Sequence, residues 1–293
     1  MNLGLGTAQF GAHYGVSNLA GPPSQAEINA IMETAEGCGI VVVDTAPAYG
    51  SSEMKIGSAL RANHKFRIVT KTPSLEKKDV GRHELECLRA SLEQSLKRLH
   101  QDQIYGLLVH RVDDLFLPGG PQLIEVMQEM VAAKLVQHIG VSVYNAQQID
   151  QVLELFTPSL IQVPLNVFDQ RLVHSGHLRH LKAKGIEIHA RSVFLQGLLL
   201  MEPDRLPPYF SPIRERFRAY RNLLASNQLR SIEGALSFST QLPEVDVVLI
   251  GVNRPAELTE IVGAARAVKG SHLDMSALAI DDEAMINPSL WKI

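Results

Sequence analysis

Four side chains capable of chemistry stand at the ends of short apolar runs. Asp44 closes VVVD, Lys71 closes IVTK, His110 follows LLV, and Arg191 ends the run that begins at Glu187. Tyr49 lies just beyond Asp44, in TAPAYGSSE. A carboxylate, an ammonium, an imidazole and a phenol can together hold, polarise and move a proton, provided the chain brings them to one place. Taken singly, each has an ordinary reading. Asp44 before a turn can cap the next segment. Lys71 can be a solvated rim residue. His110 can be a satisfied polar group at a loop start, and Tyr49 a packing aromatic. Lys71 also admits a different chemistry, a Schiff-base amine in an isomerase or aldolase.

The elements that must position these groups alternate in type. Short runs rich in β-branched residues are expected as strands at Leu3–Thr7, Ile40–Asp44, Arg67–Lys71, Gln103–Val109, His138–Ser142, Leu160–Val163, Glu187–Arg191 and Val245–Ile250. Most are followed by an amphipathic stretch. Ser24–Glu36 is the clearest, with Ile28, Ile31, Met32 and Ala35 on one face. Ser24 and Glu27 have capping-box spacing, and Gly37 and Gly39 supply the stop. Eight such units call for a parallel sheet. An open doubly wound sheet needs a Gly-x-Gly-x-x-Gly turn into a helix after the first strand. GLGTAQFG fits that spacing poorly, so the prediction is a single (β/α)8 barrel over 1–293. Reactive groups on such a barrel sit at the C-terminal ends of the strands, where Asp44, Lys71 and His110 would share one mouth. The longest irregular section is expected at Phe194–Leu224, and 268–293 forms a C-terminal extension that could fold over a barrel end.

Composition narrows the class of partner. The 293 residues are 45% hydrophobic, with a formal net charge of −3 and no long charge runs. This argues against a nucleic-acid partner and leaves a small molecule as the expected one. Two cysteines, Cys38 and Cys87, exclude a disulfide scaffold and suggest no metal site. No apolar run approaches the roughly 20 residues of a membrane span. The expectation is a cytoplasmic protein without a metal; the sequence is silent on oligomeric state.

VVVDTAPAYGSSE, IVTKTP and LLVHRVDD together resemble the aldo-keto reductase family, which carries an Asp, Tyr, Lys, His tetrad in this order. GVSVYN, IQVPLN, RSVFLQGLL and IGVNRPAEL extend the resemblance over nearly the whole chain. It implies an oxidoreductase that uses NADP(H) or NAD(H) to move a hydride between the nicotinamide and an aldehyde, a ketone or the corresponding alcohol. The opening GLGTAQFGAHYGVSN resembles a bacterial subgroup found near sugar-modifying enzymes, which implies a sugar as one conceivable substrate. Tyr49 would then be the general acid/base, with Lys71 lowering its pKa, Asp44 holding Lys71, and His110 orienting the substrate oxygen.

The same resemblance implies cofactor contacts from Gly6, Thr7, Asp44, Ser142, Gln162, Arg191, Ser192, Phe194, Gln196, Gly197, Gly251, Asn253, Arg254 and Glu257. Three departures from the family stand out. Val143 replaces the Asn that often follows the carboxamide-binding Ser, so either the carboxamide contacts are fewer or Asn166 helps. Arg191 replaces the Tyr that stacks on the nicotinamide; a guanidinium can also stack, or can turn away and pair with an acid. Gly251 and Glu257 replace the basic residues of NADP-specific members, leaving Arg254 as the single base of that segment. Phe10, His13, Tyr14, Leu115, Phe116 and Trp291 are candidate substrate-pocket walls. A non-catalytic nicotinamide-binding sensor or regulatory subunit of the same fold is the alternative.

Overall fold

Short apolar runs buried on both faces pair most readily as parallel strands covered by helices. In the computed structural model, which describes residues 3–16, 18 and 21–292, eight such strands close into a barrel in chain order. They are β1 (Leu3–Gly6), β2 (Val42–Asp44), β3 (Arg67–Lys71), β4 (Ile104–Val109), β5 (Val136–Ser142), β6 (Leu160–Pro164), β7 (Glu187–Arg191) and β8 (Val247–Gly251). Closure is parallel, with Leu5 opposite Ile250 and Val43. The chain is a (β/α)8 barrel.

The helices are α1 (Ala8–Gly11), α2 (Gln25–Gly37), α3 (Ser52–Ala59), α4 (Arg82–Leu99), α5 (Gln122–Ala132), α6 (Ala146–Leu155), α7 (Arg171–His174), α8 (His177–Ala183), α9 (Arg214–Ser226), α10 (Ser231–Thr240), α11 (Pro255–Ala267) and α12 (Glu283–Ile286). The expected capping box starts α2: the Ser24 side chain accepts from Glu27 N, and Glu27 returns the bond to Ser24 N. Gly39, at φ +77°, ends it, and Ile40 N bonds back to Ala35 O. That bond draws Ile40 into the helix terminus, so β2 begins at Val42 rather than at Ile40.

Three apolar bodies hold the molecule. The largest lies between barrel and helices, with Ile28, Ile31, Met32 and Ala35 of α2 among its buried members. Inside the barrel, Val42, Val69, Leu108, Leu160, Val247 and Leu249 form a plug. A further cluster joins Phe168, Phe210, Phe217 and Tyr220 to Met275, Leu278, Met285 and Ile286 of the tail. The tail is tied to the loop after β6: Ile280 N donates to Phe168 O and the Gln170 side chain to Met275 O. The outermost residues of the predicted domain, 1, 2 and 293, lie outside the described residues.

The section 194–224 is more regular than expected. Three short 3-10 turns lead into α9 at Arg214. Phe217, Tyr220 and Leu224 repeat at helical spacing and are all buried, which anchors α9 despite the prolines before it. Among the described residues, no helix is long and apolar enough to cross a membrane.

Candidate active site

The strands end where a long cleft of about 580 Å³ opens across the barrel mouth. Asp44 is at its floor. Its backbone carbonyl accepts from Thr7 N (3.0 Å) and Thr7 Oγ1 (2.8 Å), which fixes β1 against β2. Lys71 Nζ donates to both Asp44 carboxylate oxygens at 2.8 Å and to Thr45 O at 2.9 Å. Three acceptors use all three hydrogens of an ammonium. Gln162 Nε2 also donates to Asp44 Oδ1, at 2.8 Å. Lys71 is 1% exposed and Asp44 5%.

Tyr49 is held over this pair by its own turn. The backbone of Gly11 packs against that turn so closely that a Cβ there would stand 1.9 Å from Tyr49 O. Gly50, at φ +59°, meets Gly11 O in return, a conformation and a contact that a side chain would oppose. Ser52 Oγ bonds Thr7 O and Thr7 Oγ1, locking the turn to β1. The result places Lys71 Nζ 5.0 Å from the Tyr49 ring centroid. The His110 ring stands edge-on to Tyr49, centroids 5.8 Å apart, and His110 N donates to Thr72 Oγ1. All four tetrad positions therefore meet at one point.

Burial pushes the Tyr49 phenol well above its usual range, the Asp44 carboxylate adds to this, and Arg191 opposes it. Lys71 stands beside the ring with its ammonium paired to Asp44. Burial pushes Lys71 down, against the pull of Asp44. His110 is pushed down to about 4 by burial and then by Lys71, so its imidazole is neutral at pH 7. A protonated phenol at the floor thus has a neutral imidazole edge-on beside it.

The cleft runs from this floor to the start of α11. Gly6, Thr7, Asp44, Tyr49, Gln162 and Arg191 line its inner part. Ser192, Phe194, Gln196 and Gly197 line one wall, and Gly251, Asn253, Arg254 and Glu257 the far end. Ser142, Lys71 and His110 are not in the lining; Ser142 is buried beside it, in register with Gln162. Ser192, Leu195, Gln196 and Gly197 all have positive φ, so this wall is a tightly folded segment of strained backbone. Asn253 Oδ1 is buried in the cleft without a hydrogen-bond partner. A long cleft with an orphaned amide acceptor and glycine-lined ends fits a dinucleotide.

Some expected contacts fall elsewhere. Asn166 donates one hydrogen to Ser192 O, in the loop after β7, and accepts from Phe168 N and Asp169 N in its own loop. Arg191 pairs with no acid among the described residues: it donates to Val143 O at 2.9 Å and lies over the Tyr144 ring at 4.3 Å. Of the candidate pocket walls only Tyr14 lines the cleft. Phe10 and Leu115 are core, and Phe116 packs on that core. Trp291 stacks edge-on against Phe210, and His13 is exposed away from the cleft. Sequence reasoning missed Gln9, Ile232, Glu260 and Ile261 in the lining. Glu260 had a signal, one helical turn beyond Glu257. It also missed buried Glu53, which accepts from Thr70 and Arg98 and braces β3 beside Lys71.

A family model for the aldo/keto reductase family matches residues 2–279, and the chain belongs to that family. It is an NAD(P)-dependent oxidoreductase. It is 30% identical to the aldo-keto reductase YhdN of Bacillus subtilis, over 89% of this chain and 85% of that protein. It is 26% identical to L-galactose dehydrogenase of Arabidopsis thaliana, over 98% and 93%. It is 30% identical to the NADH-specific methylglyoxal reductase of Escherichia coli, over 67% and 64%. The fold matches the holo form of an aldo-keto reductase from Bacillus halodurans with a TM-score of 0.74, at 19% identity over 95% and 92% of the two chains.

Proposed function

We propose that this protein reduces an aldehyde or ketone with NADH, and that Tyr49 gives the new alcohol its proton. The observation that carries this reading is the Asp44–Lys71 pair under the Tyr49 ring, beside a neutral His110, at the floor of the dinucleotide-sized cleft. A bound nicotinamide supplies the hydride. As the carbonyl carbon is reduced, the π pair moves to oxygen and takes the Tyr49 proton; the phenolate left behind is reprotonated from solvent. Neutral His110 donates one N–H to the same oxygen and keeps it oriented. Lys71 and Asp44 hold the ring's underside fixed. Burial keeps the Tyr49 phenol protonated in the free site, as a proton donor must be.

The preference for NADH rests on the far end of the cleft. Arg254 has no ion pair there among the described residues, and two carboxylates stand close by. Glu257 accepts from Asn253 N at 2.7 Å, leaving its second oxygen for a ribose hydroxyl. Glu260 pairs with Arg230. A 2′-phosphate would meet both carboxylates. The Escherichia coli relative described as an NADH-specific methylglyoxal reductase supports a small aldehyde, and the relative described as an L-galactose dehydrogenase supports a sugar. The test is a fluorescence titration with NADH and NADPH, followed by a panel of aldehydes, ketones and sugars read at the cofactor absorbance. Tighter NADH binding with turnover of a carbonyl is expected. An NADPH preference beyond about a hundredfold, roughly 2.7 kcal/mol, contradicts the cofactor reading. Cofactor binding without turnover of any carbonyl favours the sensor alternative.

A further inference from the structure

We propose that Gln9 binds the nicotinamide cofactor, and that position 251 must be a glycine for the Gln9 amide to take its place. The inference deepens the reading of the cleft as a dinucleotide seat and rests on it. β1 and β8 end side by side, with Gly6 in register with Gly251. A Cβ built on Gly251 would stand 2.3 Å from Gln9 Nε2, 2.5 Å from Oε1 and 2.8 Å from the amide carbon. The amide therefore fills the volume that any side chain at 251 would need. A Cβ on Gly6 would meet nothing nearer than Ile250 O at 3.6 Å, so the crowding belongs to Gly251 and not to the strand ends in general.

A rigid base presents Gln9. It stands in α1, whose Phe10 is fully buried and whose Gly11 packs against the Tyr49 turn. Phe10 N donates to Thr7 O at 3.0 Å, and Phe10 O accepts from Lys55 Nζ at 2.7 Å. From this base the side chain reaches Gly251 at the far end of the cleft, which both residues line. Its amide makes no hydrogen bond among the described residues. An amide offers two N–H donors and a carbonyl acceptor, and here all of them are left for a ligand. A dinucleotide presents matching groups: phosphate oxygens that accept, and ribose hydroxyls that both donate and accept. Because the amide already rests on the Gly251 backbone, little side-chain freedom is lost when the cofactor arrives.

The test is a fluorescence titration with NADH of the full-length wild type, Gln9→Ala, Gly251→Ala and the double variant. Gln9→Ala is expected to raise the NADH Kd about fivefold, the effect of one lost hydrogen bond. Gly251→Ala is expected to raise it by a similar factor, because the new Cβ turns the amide off its seat. The displaced atoms are the end of a flexible side chain, so the denaturation midpoint of Gly251→Ala without cofactor stays at the wild-type value. In the Gln9→Ala background, Gly251→Ala adds no further loss. Gln9→Glu keeps the shape but carries a negative charge beside an anionic dinucleotide, and it raises the Kd further than Gln9→Ala does; a purely structural Gln9 would not sense that charge. An NADH Kd unchanged in Gln9→Ala overturns the contact. A full second loss from Gly251→Ala in the Gln9→Ala background overturns the coupling, since the Cβ then acts on the cofactor directly. Each comparison is made within one cofactor, so it is read equally well with NADPH if wild type prefers that. Failure of the dinucleotide reading looks different: wild type itself would bind neither NADH nor NADPH.

Discussion

At the scale of single residues, the Asp44–Lys71 pair carries the largest energetic stake. Both groups are buried, so removing one partner leaves an uncompensated charge inside the barrel. Lys71→Met is expected to destabilise the fold by about 3–5 kcal/mol. Asp44→Asn with Lys71→Met should recover part of that loss, since the orphaned carboxylate is gone. Chemical denaturation of the two single variants and the double variant checks this; additive losses would show that the pair is not coupled. The positions of these residues were legible in the sequence, because charged and aromatic types at successive strand ends are conspicuous against apolar runs. How tightly the pair is locked was not. The structure puts both carboxylate oxygens of Asp44 and the carbonyl of Thr45 on the Lys71 ammonium.

At the scale of elements, the turn that carries Tyr49 depends on close backbone contact with α1. Gly11→Ala places a Cβ 1.9 Å from Tyr49 O, so the turn must move and the phenol with it. We expect carbonyl reduction to fall by about a hundredfold, since small misplacements of reacting groups are costly. Gly263→Ala is the control. Its Cβ meets nothing within 4 Å on the exposed face of α11, and the change should stabilise the protein by about 0.5–1 kcal/mol. Activity retained in Gly11→Ala would mean that the turn is not what sets Tyr49. Strand order and barrel closure were readable from alternation and length. Strand starts were less so: Ile40 was placed in β2 by its side chain but is taken by the end of α2 through its N–H. The helix α9 was hidden because four prolines in the preceding stretch outweighed the buried repeat of Phe217, Tyr220 and Leu224.

At the scale of the whole molecule, the tail and the loops after β6 and β7 form one apolar body, on which Phe194 of the cleft wall packs. Truncation after Ile280 removes buried Met285 and Ile286, the Trp291 contact with Phe210 and the Glu283 partner of Arg171. A loss on the order of 3 kcal/mol in unfolding free energy is expected from the buried side chains alone. An unchanged denaturation midpoint would show that the tail is not part of that body.

The account as a whole stands on Tyr49 as the group that moves the proton. The direct measurement is single-turnover reduction of the fastest carbonyl of the panel by Tyr49→Phe, alongside NADH titration of the same variant. Phenylalanine keeps the ring over Lys71 and deletes only the hydroxyl. The predicted result is a rate at least about a hundredfold below wild type, with the NADH dissociation constant within about twofold, roughly 0.4 kcal/mol. Single-turnover rates close to wild type in Tyr49→Phe would contradict it.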